Sequence, residues 1–147
     1  KTFDEKIAIY QDEILNHSLT LEEIIILASI LEREANSFES KRYVSGILQK
    51  RLSISMPLQV DASLEYVLNK PLKDLTAEDL DIESPYNTYL NYGLPPTPIG
   101  NPGLEAIEAV LKPIESDYLF YITGDDGNFY YAKNFDGHKI NIERYLR

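Results

Sequence analysis

The chain has no cysteine and only two histidines, His17 and His138, among its 147 residues. The missing cysteine removes disulfides, thiolate zinc sites and thiol nucleophiles together. Basic residues are also scarce, with 14 Lys and Arg against 24 Asp and Glu and a formal net charge of −10. A surface that tracks nucleic-acid phosphates needs clustered Lys and Arg, so nucleic acid is disfavoured as a partner, and so is anionic lipid. Long hydrophobic runs are missing too. The longest, Ile24 to Leu31, is interrupted by Ser29 and falls well short of the roughly 18 apolar residues of a membrane span. The opening Lys1-Thr2-Phe3-Asp4-Glu5-Lys6 is polar and unlike a signal peptide. The absence of an initiator Met points to a mature or trimmed fragment, so a missing anchor says little about compartment.

What remains is ordinary for a soluble globular domain: 44% apolar and 26% charged residues. The length suits one domain with one substantial core. Phe3 to Asn16 reads as an amphipathic helix. Thr20-Leu21-Glu22-Glu23 has the form of a capping box, opening a buried helix to about Ala35. Helical spacing predicts a third helix over Ser40 to Leu52, with Arg51 in line with Val44, Ile47 and Leu48. Ala62 to Leu68 and Thr76 to Leu80 read as short helices.

Ser84 to Gly103 holds Pro85, Gly93, Pro95, Pro96, Pro98, Gly100 and Pro102, which excludes a long helix or a central strand. Its interleaved tyrosines favour a packed loop. Leu104 to Leu111 reads as a helix. Tyr118 to Ile122 and Phe129 to Ala132 flank the turn sequence Gly124-Asp125-Asp126-Gly127-Asn128, a β-hairpin signal. A last helix is predicted from Gly137 to Leu146. The class is therefore α+β, mostly helical, as a single domain with a small antiparallel hairpin.

With so few histidines and no thiol, carboxylates are the main candidates for proton transfer. A carboxyl in apolar surroundings has a raised pKa and becomes a usable acid near neutrality. Glu32 and Glu34, at the end of the buried helix, meet that description. They lie about 200° apart around the helix axis, so they cannot both face one cleft. Helical geometry does not choose between them, and both acids could simply solvate the helix end. Gln59 and Asp61 in Leu58-Gln59-Val60-Asp61, Tyr86 and Asn87 in Pro85-Tyr86-Asn87-Thr88-Tyr89, and Asn101 in Gly100-Asn101-Pro102-Gly103 are further polar or aromatic candidates. Amides beside tyrosines suit sugar recognition, although turn capping explains Asn101 equally well. His138 opens the predicted last helix.

Leu27-Ala28-Ser29-Ile30-Leu31-Glu32-Arg33-Glu34 resembles the A-S-I-x-E-K/R-E signature of the endolytic murein transglycosylase (YceG-like) family. Gln49-Lys50-Arg51-Leu52, Met56-Pro57-Leu58-Gln59-Val60-Asp61, Ser84-Pro85-Tyr86-Asn87-Thr88-Tyr89, Gly93-Leu94-Pro95-Pro96-Thr97-Pro98-Ile99, Asn101-Pro102-Gly103 and Asn134-Phe135-Asp136-Gly137-His138 follow in the family's order. Val60 stands where Thr is frequent, and Ala62 where Pro is frequent. The likeness runs from about Thr20 to the C-terminus.

The resemblance implies a catalytic domain over residues 1–147 with a lysozyme- or transglycosylase-like cleft, cut from a longer, membrane-anchored, extracytoplasmic protein with a LysM-like domain. It implies Glu34 as the acid and base, and Glu32 as a supporting residue. Gln59, Asp61, Tyr86, Asn87, Asn101 and His138 are the expected substrate contacts, and no metal or organic cofactor is required. The implied substrate is peptidoglycan glycan strands, cleaved non-hydrolytically between N-acetylmuramic acid and N-acetylglucosamine. Peptidoglycan synthases and elongation or division proteins are the implied protein partners. A non-catalytic glycan-binding or divisome-scaffold module is the competing expectation.

Overall fold

The computed structural model describes residues 3–146, so Lys1 and Thr2 of the predicted polar start lie outside the described residues. Seven helices and one hairpin follow in order: α1 (Phe3–Ala8), α2 (Gln11–Asn16), α3 (Leu21–Glu34), α4 (Phe38–Ser53), α5 (Asp61–Leu68), α6 (Leu104–Leu111), β1 (Phe120–Thr123), β2 (Phe129–Ala132) and α7 (Phe135–Tyr145). Two 3-10 turns, Leu72–Asp74 and Asp79–Asp81, lie between α5 and α6. The mostly helical α+β class is as the sequence implies. No helix among the described residues is long and apolar enough to cross a membrane.

The core forms where α3, α4 and α6 pack on one another. Ile24, Leu27, Ile30 and Leu31 of α3 meet Val44 and Leu48 of α4 and Ala106, Ile107 and Val110 of α6. Helix α3 starts where its capping box predicts. The Thr20 hydroxyl accepts from the Glu23 amide at 3.2 Å, and the Thr20 amide donates to Glu23 Oε1 at 2.9 Å. Such reciprocal bonds satisfy amides that the first helical turn leaves unpaired. Ser37 and Ser40 make the same exchange at the start of α4, which begins two residues before the predicted position.

Three predicted elements differ in detail. The first helix breaks at Ile9-Tyr10, which lets Ile7 and Ile14 both pack on the core while the Tyr10 hydroxyl donates to Glu108 Oε2 at 3.3 Å. The predicted helix over Thr76 to Leu80 is reduced to a 3-10 turn at Asp79–Asp81. Thr76 and Asp79 do exchange capping bonds there, and the Asp79 carboxylate is also drawn to Lys70 at 2.9 Å. Helix α7 begins at Phe135, because the Asn134 side chain caps it by accepting from Gly137 N at 2.8 Å. His138 is therefore its fourth residue rather than its opening one.

Several long-range bonds bring remote segments to the C-terminal end of α3. Gly46 faces Ile114 so closely that a Cβ would come within 2.3 Å of the Ile114 carbonyl oxygen. This lets the strap after α6 lie along α4, where Ile114 N donates to Arg42 O and Arg42 Nε to Lys112 O. The chain then enters the hairpin, whose register pairs Tyr121 with Tyr131. Tyr130 stacks on Tyr145 with 3.5 Å between ring centroids, docking α7 against the hairpin. The Pro-rich loop is tied to α3 by Ile99 N donating to the buried Ser29 hydroxyl at 3.0 Å. The expectation of a packed loop holds at Asn87, Thr88 and Ile99, whereas Tyr92 at the loop's tip is exposed.

Candidate active site

Glu34 is the last residue of α3, the point at which the buried helix emerges between α5 and the hairpin. It lines a cavity of about 400 Å³ together with Arg51, Gln59, Asp61, Tyr89, Tyr121 and His138, with Leu72, Phe120 and Phe135 at its apolar margins. The Tyr121 hydroxyl donates to Glu34 Oε1 at 3.0 Å. Burial pushes the Glu34 carboxyl up from the ordinary carboxylate value to about 7. The Tyr121 bond and the Arg51 charge oppose that rise, while the Asp61 and Glu65 charges add to it. A carboxyl so placed is part protonated near neutrality, the state a general acid needs.

Asp61 is the first residue of α5, and the geometry around it is firmly set. The Thr88 hydroxyl accepts from Val60 N at 2.9 Å and donates to Val60 O at 3.2 Å, while Gln59 N donates to Thr88 O at 3.2 Å. These bonds hold Gln59 in a left-handed conformation (φ 55°). A non-glycine residue adopts that region at a cost and only where its surroundings impose it. The consequence is an exposed Gln59 side chain at the cavity and an Asp61 carboxylate to which the Tyr89 hydroxyl donates. Burial and then that bond to Asp61 raise the Tyr89 pKa strongly, so it remains a donor.

Arg51 joins the walls. Its buried guanidinium donates through Nη1 to Leu58 O, before the Gln59 turn, and through Nε and Nη2 to Leu119 O at 3.0 and 2.7 Å, at the hairpin's base. Phe120 and Tyr121 lie within about 6 Å of the same cation. His138 stacks on Phe120 at 5.0 Å, and its Nδ1 is buried without a hydrogen-bond partner among the described residues. Burial and then the Arg51 charge lower the His138 pKa, favouring the neutral ring.

The predicted residues thus divide. Glu34, Gln59, Asp61 and His138 come together. Asn87 does not reach the cavity. Its fully buried amide donates to Leu80 O and Ile82 O and accepts from Tyr89 N, so both of its donors go into shaping the loop. Tyr86 packs on Tyr66 and its hydroxyl meets Thr97, and Asn101 is an exposed loop residue; neither lines the cavity.

The pair left open by helical geometry faces two ways. Glu32 Oε1 accepts from Gly103 N, at the start of α6, at 2.6 Å, and its Oε2 lies 3.5 Å from Lys41 Nζ. It acts as a remote cap for α6. Arg51, Tyr89 and Tyr121 were not among the predicted contacts. The one available signal was an arginine on the apolar stripe of α4, since a buried cation requires partners. Among the described residues no cluster of His, Asp and Glu has the arrangement of a metal site.

A model of the YceG-like family matches residues 1–144. The chain is 33% identical, over 149 residues, to the endolytic murein transglycosylase of Streptococcus pneumoniae strain R6, covering 97% of this chain and 27% of that protein. It is 33% identical over 137 residues to the endolytic murein transglycosylase of Bacillus subtilis strain 168, covering 93% of this chain and 38% of the relative. The chain therefore spans well under half the length of these relatives. A crystal structure of a yceG-like protein from Listeria monocytogenes superposes with a TM-score of 0.88 at 36% identity, covering 93% of this chain and 45% of that one.

Proposed function

The chain belongs to the YceG-like family, and from that premise we propose that it is the catalytic domain of an endolytic peptidoglycan lytic transglycosylase with Glu34 as its acid and then its base. The observation that carries this reading is a carboxyl held to about pKa 7 within a polar and aromatic cavity, in contact with a tyrosine hydroxyl. Glu34 donates its proton to the glycosidic oxygen between N-acetylmuramic acid and N-acetylglucosamine as the C1–O bond breaks. The C6 hydroxyl of the muramoyl unit then attacks C1 and passes its proton to the Glu34 carboxylate. That closes a 1,6-anhydro ring and restores the acid without consuming water.

Asp61 contributes negative potential beside the developing oxocarbenium ion and favours the protonated form of Glu34. Tyr121 steadies the carboxylate once it has formed. Gln59 and His138 are the polar groups best disposed to hold the sugar. The chemistry requires no metal or organic cofactor. The substrate makes an extracytoplasmic location, tethered to the membrane through the remainder of the parent protein, the natural one. Peptidoglycan synthases and elongation or division proteins are the partners such an enzyme would serve.

The test is incubation with purified glycan strands followed by mass spectrometry. Wild-type protein should release anhydro-ended fragments, and Glu34→Gln, kept folded, should release none. Retained cleavage in Glu34→Gln, with loss in Glu32→Gln, would overturn the assignment. The presence of Asp61 in the same cavity also permits a two-carboxylate hydrolase, in which Asp61 activates water. Products heavier by one water would favour that chemistry. A non-catalytic binding module would release no soluble fragments.

A further inference from the structure

A second carboxylate beside a general acid is a liability for non-hydrolytic cleavage. Asp61 lines the same cavity as Glu34, and its charge reaches that carboxyl. If Asp61 took a proton from water as the glycosidic bond opened, the water would attack C1 and the product would be hydrolysed. Among the described residues no cation pairs with Asp61, and a single hydrogen bond meets its carboxylate, from the Tyr89 hydroxyl to Oδ1.

The fold fixes that bond from both sides. Thr88, the neighbour of Tyr89, is bonded to both the N–H and the carbonyl of Val60, the neighbour of Asp61. Tyr89 N in turn donates to the Asn87 side chain, which the Leu80 and Ile82 carbonyls hold in place. The loop and the start of α5, 28 residues apart, are thus joined one residue from the hydroxyl and one residue from the carboxylate.

We propose that Tyr89 is a positioning residue that withholds Asp61 from base catalysis and so selects closure of the anhydro ring over hydrolysis. The proposal rests on the reading of Glu34 given above and deepens it. The Tyr89 proton occupies Oδ1, so water must compete for an acceptor already taken. The bond also fixes the plane of a carboxyl group whose terminal torsion is otherwise soft, so it cannot turn to follow a water towards C1. The charge is left in place, and Asp61 still lends its potential to the developing oxocarbenium ion. With the base withheld, the muramoyl C6 oxygen bonds to C1 as the glycosidic C–O bond breaks, and its proton goes to the Glu34 carboxylate. With the base released, the oxygen of water bonds to C1 instead. One proton of that water passes to Asp61, while the leaving oxygen keeps the proton from Glu34. Asp61 then returns its proton through solvent, and the products are heavier by one water.

Tyr89→Phe keeps the ring and removes the hydroxyl. Its one partner faces the cavity, so no polar group is sealed away unpaired. Glycan strands are digested in water enriched in heavy oxygen, and mass spectrometry separates labelled hydrolytic ends from unlabelled anhydro ends. In Tyr89→Phe the labelled share should rise roughly tenfold, about the rate worth of one hydrogen bond. Tyr89→Leu, which removes the ring as well, should move the same way. Adding Asp61→Asn to Tyr89→Phe should return the labelled share to the wild-type value, because an amide cannot take up the proton. A purely structural Tyr89 would alter stability or total turnover and leave the product ratio alone. An unchanged labelled share in both folded Tyr89 variants, or a raised share that persists with Asp61→Asn, would sink the proposal. A wild type that releases no fragments, or mainly labelled ones, overturns the transglycosylase reading and this proposal together. Cleavage retained in Glu34→Gln defeats the acid assignment alone, and the Tyr89→Phe ratio still decides the role of Tyr89.

Discussion

Replacing Glu34 by Gln should make the protein more stable at neutral pH while removing its activity. The Glu34 carboxyl is raised from 4.5 to about 7 in the folded state. Because the folded pKa is the higher one, the native state binds the proton more tightly than the unfolded chain. The associated stability is fully present below the unfolded value and is lost as pH rises through the folded one. That rise corresponds to roughly 3 kcal/mol in all. Its course is also determined: about 1 kcal/mol is gone near pH 5, about 2 near pH 6 and about 3 near pH 7, with little further loss above. Gln keeps an acceptor for the Tyr121 hydroxyl and carries no charge to desolvate. The difference in unfolding free energy, variant minus wild type, should therefore grow along that curve. Urea unfolding of both proteins at intervals from pH 4 to pH 9 measures it. For a domain of this size the melting temperatures should separate by about 6–12 °C at neutral pH. A difference that stays flat with pH, or that favours wild type at high pH, would refute the claim that burial controls this carboxyl.

Tyr121→Phe removes a bond that favours ionised Glu34, so the alkaline limb of the pH–rate profile should move to higher pH; the maximal rate should also fall roughly fivefold, about the worth of one hydrogen bond. A limb that stays in place would show that Tyr121 does not act on the acid. Glu32→Gln should still yield anhydro products but unfold at lower denaturant, by about 1 kcal/mol, because a charged cap on Gly103 and a partner for Lys41 are both weakened. Gly46→Ala should lower stability by about 2 kcal/mol or more, since its Cβ would overlap the Ile114 carbonyl oxygen. On helix propensity alone the same change would raise stability, so the sign of the measured shift decides.

Where the sequence was legible, the reason was local. Helix α3 could be read from Thr20 and Glu23 because its cap is made within one turn. Helix α6 lies over Leu104–Leu111 as its periodicity implies, and the hairpin follows from Gly124 to Asn128, with Gly127 at φ 82°. The misreadings have the opposite character. The break at Tyr10 answers to Glu108, which is 98 residues away. Asn87 looked available for a sugar because its partners, the Leu80 and Ile82 carbonyls seven and five residues back, reach it only through an irregular loop that no periodicity describes.

The candidate site is non-local throughout. On the helix, Glu32 and Glu34 differ only in angle. Their roles diverge because Gly103 comes to one and Tyr121 to the other, across 71 and 87 residues. Arg51 supports the second arrival, since one guanidinium bonds the carbonyl of Leu58 and that of Leu119. It thereby ties the Gln59–Asp61 wall and the hairpin wall to the same helix. A desolvated acid needs such a device: the environment that raises its pKa also destabilises the fold once the acid ionises, and only rigid walls keep water from relieving that strain. The motifs recognisable in the sequence around Glu34, Arg51, Asp61 and the hairpin are therefore parts of one electrostatic arrangement, and its acidity belongs to their assembly.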